Sequence, residues 1–346
     1  MAGPTPASWA VDPEQVSAAL VADCVWRLRL PLAWPGISHV NAYAVEGDGV
    51  VLFDCGPGGH PTCAQALERA LAAAGMAPED VTTFVGTHAH SDHVGLAPWL
   101  VARSGCEVWL HPATGHCFDA IREPARVGAA RERRSRAEGV PADRLADYAC
   151  LDEELEGLMG VVPADHALVE GAIVPSGIGD WEAFETPGHC PSHVSLVQRA
   201  SGLAILGDAA CVAFVPWLDY GYSPDPVAEH IAAIGRVEAL GPDVTGLPGH
   251  GRALEDLPAV AAMYRDGIVD RVAATRRAVS EGPAGGWTIS RRVFGTTGDR
   301  LEEFAHFVET ACYLRRLRVA GVVARDVAAD GTFVHRLTES TNHPVG

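Results

Sequence analysis

The sequence predicts an α/β layered fold, and three observations support that prediction. Short apolar runs typical of strands alternate with segments of helical spacing along most of the chain. Polar residues collect where the apolar runs end, as at residues 87–93. With 48% hydrophobic and 20% charged residues among 346, the composition suits a globular enzyme with one large domain and a small second one.

The first part of the chain alternates between predicted strands and helices. After a loose arm with a short helix in about the first twenty residues, the runs VWRLRLPL, VNAYAVEG and GVVLFD predict antiparallel strands joined by tight turns. Residues 61–75 have helical spacing, with Pro61 near the start and Gly75 at the end. The strand TTFVGT, a helix over about 95–104 and the strand EVWLHP follow.

Residues 113–170 are charged, helix-prone and poor in strand formers. We interpret them as a helical insertion over or beside the active site, although the run RERRSRAE also suits a merely solvated helix face. AIVPSG, WEAFETPG, SLVQRAS and LAILGD then predict strands, followed by a helix over about 226–240. The segment DVTGLPGHG closes the first domain, which we assign to residues 1–255.

Residues 256–346 predict a helical linker and a small winged-helix-like domain. A helix over 256–281 comes first, and WTISRRVFG, a long helix over 299–320 and the strand pair GVVARDV and TFVHRLT follow. We expect this second domain to act in packing or dimerisation, so a homodimer is one possible assembly.

Charge and composition limit the classes of partner and of mechanism that we expect. The net charge of -18 repels nucleic-acid phosphates and anionic membrane surfaces, so we expect neither as a partner. All 26 basic residues are Arg, which excludes a Schiff-base lysine. The nine cysteines are odd in number and form no CxxC pair, which favours reduced thiols and a cytoplasmic location. No secretion signal and no apolar run long enough to span a membrane is visible.

The segment HAHSDH carries the strongest chemical signal. His88, His90, Asp92 and His93 place four potential metal ligands within six residues. Imidazole nitrogen together with carboxylate oxygen suits zinc or a related divalent ion. On a tight turn after a strand, His88 and His90 can point one way while Asp92 and His93 point another. This arrangement favours two adjacent metals.

Three further candidates each follow an apolar strand. His189 lies in TPGH, His250 lies in LPGHG, and Asp208 ends LAILGD, where a buried carboxylate requires a cation. Each alone could be a hydrogen-bonded core or loop residue. Together with HAHSDH they make the seven ligands that two metals need, with positions left for solvent.

The ordered motifs HxHxDH, PGH, GD and PGHG resemble those of the metallo-β-lactamase superfamily over about residues 25–255. The resemblance implies a four-layer αββα sandwich with the metals at one edge of its two sheets. It implies one metal on His88, His90 and His189, the other on Asp92, His93 and His250, and a bridging Asp208. Asp54, in LFDCG, matches a motif whose Asp orients a ligand imidazole; a turn-capping Asp is the alternative.

The residue types narrow the branch of the superfamily. A carboxylate at Asp208 resembles the glyoxalase II, lactonase and ribonuclease Z branches, whereas the true β-lactamases usually carry Cys or Ser there. Ala89 stands where flavodiiron proteins carry Glu, which disfavours reduction of oxygen or nitric oxide. We expect two zinc ions, while iron and manganese also occur in this branch.

The expected function is hydrolysis of a small or carrier-bound acyl compound: a thioester, ester or lactone. Two metals would lower the pKa of a bridging water towards about 7, and the resulting hydroxide would attack a polarised carbonyl. Asp92 and Asp208 would hold the metals and orient the nucleophile. Candidate substrate contacts are His193, Trp217, Tyr220 and Tyr222. A structural hydrogen bond for His193, and packing for the three aromatic residues, are the alternatives.

Two other functions stay open. Some relatives with the same core and a winged-helix tail cleave single-stranded RNA, so an endoribonuclease or phosphodiesterase of the ribonuclease Z type is one alternative. Its basic surface could use Arg291, Arg292, Arg315, Arg316 and Arg318. The acidic net charge and the lack of a basic stripe with interleaved aromatics oppose it. The other alternative is a non-catalytic, metal-stabilised DNA-binding regulator, which the complete ligand set disfavours.

Overall fold

The computed structural model describes residues 10–34, 37–149, 156–215 and 217–338. Its first sheet has seven strands in chain order: β1 Ser17–Ala22, β2 Val25–Trp34, β3 Ile37–Val45, β4 Val50–Phe53, β5 Val81–Val85, β6 Glu107–Leu110 and β7 His166–Ala167. Strands β1 to β4 pair antiparallel, and β4 to β7 pair parallel. The predicted antiparallel strands between residues 24 and 53 are thereby confirmed.

The second sheet has five strands in the order β12-β11-β10-β9-β8. They are β8 Ile173–Val174, β9 Trp181–Glu185, β10 Val194–Gln198, β11 Leu203–Gly207 and β12 Thr245–Pro248. All neighbours pair antiparallel except β11 and β12, which are parallel. A separate antiparallel hairpin is formed by β13 Val323–Val327 and β14 Phe333–Leu337.

The helices fall into two groups along the chain. The first group is α1 Pro61–Ala73, a 3-10 turn Pro78–Asp80, α2 Ser91–Val94, α3 Ala97–Ser104, α4 Gly115–Arg122, α5 Pro124–Ala137 and α6 Leu145–Ala149. The second group is α7 Pro226–Glu238, α8 Leu257–Ser280, α9 Gly286–Phe294 and α10 Arg300–Val319. Among the residues that the structure describes, no helix is both long enough and apolar enough to cross a membrane.

Side-chain alternation along the strands builds four layers. In β3, Ala42 belongs to the core shared with α1 and α3, while the next residue, Tyr43, belongs to the core between the sheets. In β11, Ile205 lies in the core between the sheets, while Leu206 joins α7 and α8 in a third core. Because successive strand residues point to opposite faces, each sheet contributes to two cores. The αββα sandwich expected from the resemblance is confirmed.

Two local predictions need correction. Residues 17–22 form strand β1 instead of a helix, because SAALVA pairs along β2 with Ser17 opposite Arg29; residues 1–9 lie outside the described residues. The predicted insertion is helical over 115–149, but its last part contains β7, which extends the first sheet beside β6. Residues 150–155 of that insertion are outside the described residues.

The C-terminal unit, which we define as α8 to α10 with β13 and β14, shares helix α8 with the sandwich. Tyr264 in the first half of α8 packs in the core of the second sheet, and Val272 in the second half packs with α10. The predicted helices over 256–281 and 299–320 are confirmed. Three helices followed by a hairpin agree with the winged-helix expectation, but that assignment and the boundary at residue 255 stay predictions.

Burial of Glu309 on α10 predicts a pH-dependent stability. Its Oε1 lies 3.2 Å from Arg271 Nε on α8, but burial outweighs this cation and raises the carboxyl pKa from 4.5 to about 7. The folded state therefore holds the proton more tightly than the unfolded chain. Protonation of Glu309 therefore adds to the free energy of unfolding, in full below about pH 4.5. This contribution, at most about 3 kcal/mol, is lost as the pH rises through 7.

We expect Glu309→Gln to abolish this loss, because a neutral amide does not titrate. Urea unfolding at pH 5 and pH 8 should show a smaller fall in the free energy of unfolding for the variant than for the wild type. Glu302→Gln, an exposed position on the same helix, is the control. An unchanged pH dependence in Glu309→Gln would contradict the prediction.

Candidate metal centre

The candidate ligands converge at the edge where strands of both sheets end. Thr87 and His88 follow β5, Asp208 directly follows β11, and His250 lies two residues after β12. Asp54 directly follows β4. Since β4 is parallel to β5 and β11 is parallel to β12, their carboxyl ends meet at the same edge of each sheet.

The donor atoms of the seven predicted ligands form overlapping groups, with all atoms of a group within 4.8 Å of one another. The groups are His88, His90 and His189; His88, His93 and Asp208; and Asp92, His93 and His250. Asp208 connects them, because its Oδ2 lies 3.8 Å from His189 Nε2 and 3.2 Å from His250 Nε2. Two of these groups correspond to the two halves that the resemblance implied, and the division of the ligands between two metals stays a prediction.

Asp54 lies outside this set and orients one of its members. Its Oδ2 accepts a hydrogen bond from His93 Nδ1 at 2.8 Å, and its Oδ1 accepts one from the Thr87 backbone N–H at 2.8 Å. With φ at 58°, Asp54 has a left-handed conformation that costs free energy for a residue with a side chain. Since His93 donates through Nδ1, its Nε2 keeps the lone pair that a metal needs.

Backbone carbonyls orient two other imidazoles. His250 Nδ1 donates to the carbonyl oxygen of His39 at 2.8 Å, and His189 Nδ1 donates to that of Trp217 at 2.9 Å. A carbonyl oxygen can only accept, so these contacts fix the tautomer of both rings. In each ring Nε2, the nitrogen left to bind a metal, faces Asp208.

The residues fit a divalent metal. Among the described residues, His88 Nε2, His93 Nε2 and Asp208 Oδ1 are buried without a hydrogen-bond partner. Buried polar atoms without partners cost free energy, and a cation that accepts their lone pairs removes that cost. Gly249 keeps this space open, because a Cβ there would lie 2.2 Å from Asp208 Oδ1. The fold thus contains a metal site built from His and Asp.

Burial sets the protonation of two of the imidazoles, and neighbouring charges set that of the other groups. It lowers the pKa of His88 well below its usual value and that of His189 to about 3, so both are neutral, as metal ligands must be. Burial opposes ionisation of Asp208, but His250 and His93 outweigh it and hold its pKa well below the usual range. Against burial, the carboxylates beside them raise the pKa of His93 and His250 well above its usual value, so metal binding at these two rings must displace a proton.

The predicted substrate contacts have different surroundings. His193 is buried and uses both ring nitrogens, Nδ1 with Thr186 Oγ1 at 2.8 Å and Nε2 as acceptor from Asp208 N–H at 2.9 Å. This geometry favours the structural hydrogen-bonding alternative for His193. Its effect is to fix the backbone at Asp208.

The three aromatic candidates also differ. Trp217 packs with its ring centroid 5.8 Å from that of Phe304, and Tyr220 donates its hydroxyl to Glu138 Oε1 at 3.0 Å. Both side chains therefore take the packing alternative. Tyr222 is 36% exposed, so a substrate contact for it stays a prediction.

Asp219 was missed by the sequence reasoning. Its Oδ2 lies 3.2 Å from His90 Nε2 and 2.8 Å from Nδ1 of the buried His116. His116 Nε2 is 2.7 Å from Ser192 Oγ. The only sequence signal was an acidic residue between aromatic residues in WLDYGY, close after the motif of Asp208.

The fold and this donor set define a metal-dependent hydrolase. The model of the metallo-beta-lactamase superfamily matches residues 35–250, and the chain belongs to that superfamily. It is 24% identical over 309 residues to the probable metallo-hydrolase YqjP of Bacillus subtilis, covering 83% of this chain and 90% of that protein.

Two other similarities concern a solved structure and an enzyme. A metallo-beta-lactamase family protein from Thermus thermophilus superposes with a TM-score of 0.79 and 24% identity, over 92% of this chain and 100% of that one. A hydroxyacylglutathione hydrolase of Fuscovulum blasticum is 28% identical over 181 residues, which is 52% of this chain and 51% of that protein. The structural similarity shows the fold.

We expect the chelator-treated protein to bind two equivalents of a divalent metal and Asp208→Ala to lose at least one, because Asp208 reaches both halves. Elemental analysis after dialysis measures the stoichiometry, and circular dichroism checks folding. His166→Ala is the matched control, since His166 is a surface imidazole stacked on Trp109 at 4.2 Å. If Asp208→Ala still binds two equivalents of metal tightly, the prediction that Asp208 is shared by both metals is wrong.

Proposed function

We propose that the chain hydrolyses a small acyl compound, a thioester, ester or lactone, at a dinuclear metal centre. The observation that carries the proposal is the position of Asp208 between the two halves. Its Oδ1 lies 3.5 Å from His93 Nε2, and its Oδ2 lies 3.8 Å from His189 Nε2. Two closely spaced ions sharing a carboxylate suit this geometry.

One ion would be held by His88, His90 and His189, the other by Asp92, His93 and His250, with Asp208 shared. The mixture of imidazole nitrogen and carboxylate oxygen suits zinc, with iron or manganese as alternatives. Bound ions supply Lewis acidity towards a carbonyl and make water more acidic.

The chain's own residues would orient the reactants. Asp92 is buried, and its Oδ2 lies 3.3 Å from His250 Nε2, so its carboxylate is fixed beside Asp208. In the reaction the water oxygen bonds to the acyl carbon and the C–S or C–O bond breaks. One water proton passes to the leaving group, and the acyl group leaves as a carboxylic acid. Asp92 and Asp208 would direct the water towards the acyl carbon.

The charge distribution supports an acyl substrate over a phosphodiester. The net charge of -18 opposes a polyanion. Two arginines proposed for a nucleic-acid surface have intramolecular partners: Arg316 pairs with Asp225 at 3.1 Å, and Arg292 donates to the carbonyl oxygens of Ala278 and Gly282. The similarity to an enzyme named for hydrolysis of hydroxyacylglutathione also supports an acyl substrate.

We expect the metal-loaded protein to cleave at least one of a thioester, a lactone and an ester, and not a phosphodiester. Asp208→Ala should reduce kcat/KM for the cleaved substrate by more than about 100-fold, because it removes a ligand and not merely an outer contact. Initial rates of wild type, Asp208→Ala and the surface control His166→Ala, each loaded with zinc, provide the measurement.

Either of two results would overturn the acyl proposal. Phosphodiester cleavage without acyl cleavage would transfer the function to nucleic acids. Acyl cleavage that persists in Asp208→Ala at the wild-type rate would place the chemistry elsewhere in the chain.

A further inference from the structure

A short loop, residues 217–222, touches two of the proposed ligands from outside. The Trp217 carbonyl oxygen accepts the Nδ1 hydrogen of His189 at 2.9 Å, and the Asp219 backbone N–H donates to the His189 carbonyl oxygen at 2.9 Å. The Asp219 carboxylate lies 3.2 Å from His90 Nε2. His90 and His189 meet at the centre, with Nδ1 of the first 2.9 Å from Nε2 of the second.

We propose that Asp219 is a positioning residue for His90 and that the C-terminal unit holds loop 217–222, so that this unit completes the metal centre. The proposal rests on the dinuclear site proposed above. It assigns the C-terminal unit a role in assembling the site.

The hydrogen bonds around Asp219 have one consistent direction. Its carboxylate accepts from His90 Nε2 and from His116 Nδ1, the latter at 2.8 Å. The unprotonated His116 Nε2 can then accept from the Ser192 hydroxyl at 2.7 Å, while Ser192 Oγ accepts from the Ala89 backbone N–H at 3.1 Å. The chain of hydrogen bonds returns to the residue before His90. The ring of His90 and the backbone of the residue before it are therefore both held by hydrogen bonds.

This direction decides which nitrogen of His90 can bind a metal. A carboxylate accepts only, so His90 carries its hydrogen on Nε2 and keeps the lone pair on Nδ1. Nδ1 is the nitrogen that faces His189. Without Asp219 the ring could rotate or take the other tautomer, and either change would remove the donor from the centre.

The other side of the loop is held by the C-terminal unit. Leu218 is 1% exposed and packs in one core with Tyr313 of α10, and the Cys312 thiol is 3.6 Å from the Leu218 carbonyl oxygen. Trp217 packs against Phe304 of the same helix. The loop thus binds α10 with hydrophobic side chains and the metal centre with a carboxylate.

Tyr220 adds a polar link to the same unit. Its hydroxyl donates to Glu138 Oε1 at 3.0 Å, and Glu138 Oε2 lies 2.8 Å from Nε2 of His335 on β14. Glu138 and His335 are both buried. The insertion, the loop and the terminal hairpin therefore share one buried hydrogen-bonded network next to Asp219.

The test compares metal affinity in Asp219→Ala, Asp219→Asn and Tyr220→Phe with the wild type, by competition with a chromophoric chelator using zinc. We expect Asp219→Ala to bind one of the two ions about 10- to 100-fold more weakly. Asp219→Asn keeps one acceptor oxygen and should lose less. Tyr220→Phe, which breaks only the link to Glu138, should show the smallest loss.

A general loss of stability is controlled with Asp256→Ala. Asp256 caps α8, accepts from Ala259 N–H at 2.9 Å and is exposed. It should lower the unfolding temperature without changing zinc affinity. Unfolding of each variant in chelator measures the stability of the metal-free protein, and we expect the Asp219 variants to lose zinc affinity while Asp256→Ala keeps it. Should Asp219→Ala not fold, Asp219→Asn carries the test.

The outcomes separate the two proposals. If the wild type binds fewer than two ions, the dinuclear site fails. If the wild type binds two ions and the folded Asp219 variants bind both with wild-type affinity, the positioning role of Asp219 is overturned while the site stands. If Tyr220→Phe has wild-type affinity, the polar link to the C-terminal unit is overturned.

Discussion

Five imidazoles lie close together in one largely buried space. For each to bind a metal with one ring nitrogen, its other ring nitrogen must donate a hydrogen bond to an acceptor that fixes the ring. This requirement explains contacts that otherwise look unrelated. Asp54 holds His93, a carbonyl of the β3 strand holds His250, and a loop carbonyl holds His189. A histidine without such a partner would rotate or change tautomer, and burial would then leave a polar atom unpaired at a cost.

The sandwich meets the requirement because four strands end at one edge. The residues that follow β4, β5, β11 and β12 leave the sheets there, and the sheets fix where each turn begins. The strained backbone of Asp54 and the close approach of Gly249 to Asp208 lie in these turns. Strain is tolerated where two packed sheets determine the position of both ends of a turn.

Sequence patterns predicted the elements and ligands whose signal is local. HAHSDH lies in seven consecutive residues with Thr87, and the apolar runs before Asp208 and His250 mark their strands. The loose arm with a short helix expected in about the first twenty residues was wrong for residues 17–20, because SAALVA has little period of its own and pairs with β2. Asp219 was missed because its partner His90 lies 129 positions away, a distance that no local pattern reveals.

The same distinction explains why the C-terminal unit could be outlined but not given a role. Its helices and hairpin lie in one continuous stretch of sequence, whereas its contact with the centre passes through Trp217, Leu218 and Tyr220, loop residues that lie outside that stretch. Leu218 packs into α10, while the side chain of its neighbour Asp219 faces His90. One residue thus shares in the hydrophobic core of the C-terminal unit and the next in the electrostatics of the metal centre. Packing in α10 therefore contributes to the geometry of His90, although no residue of α10 belongs to the ligand set.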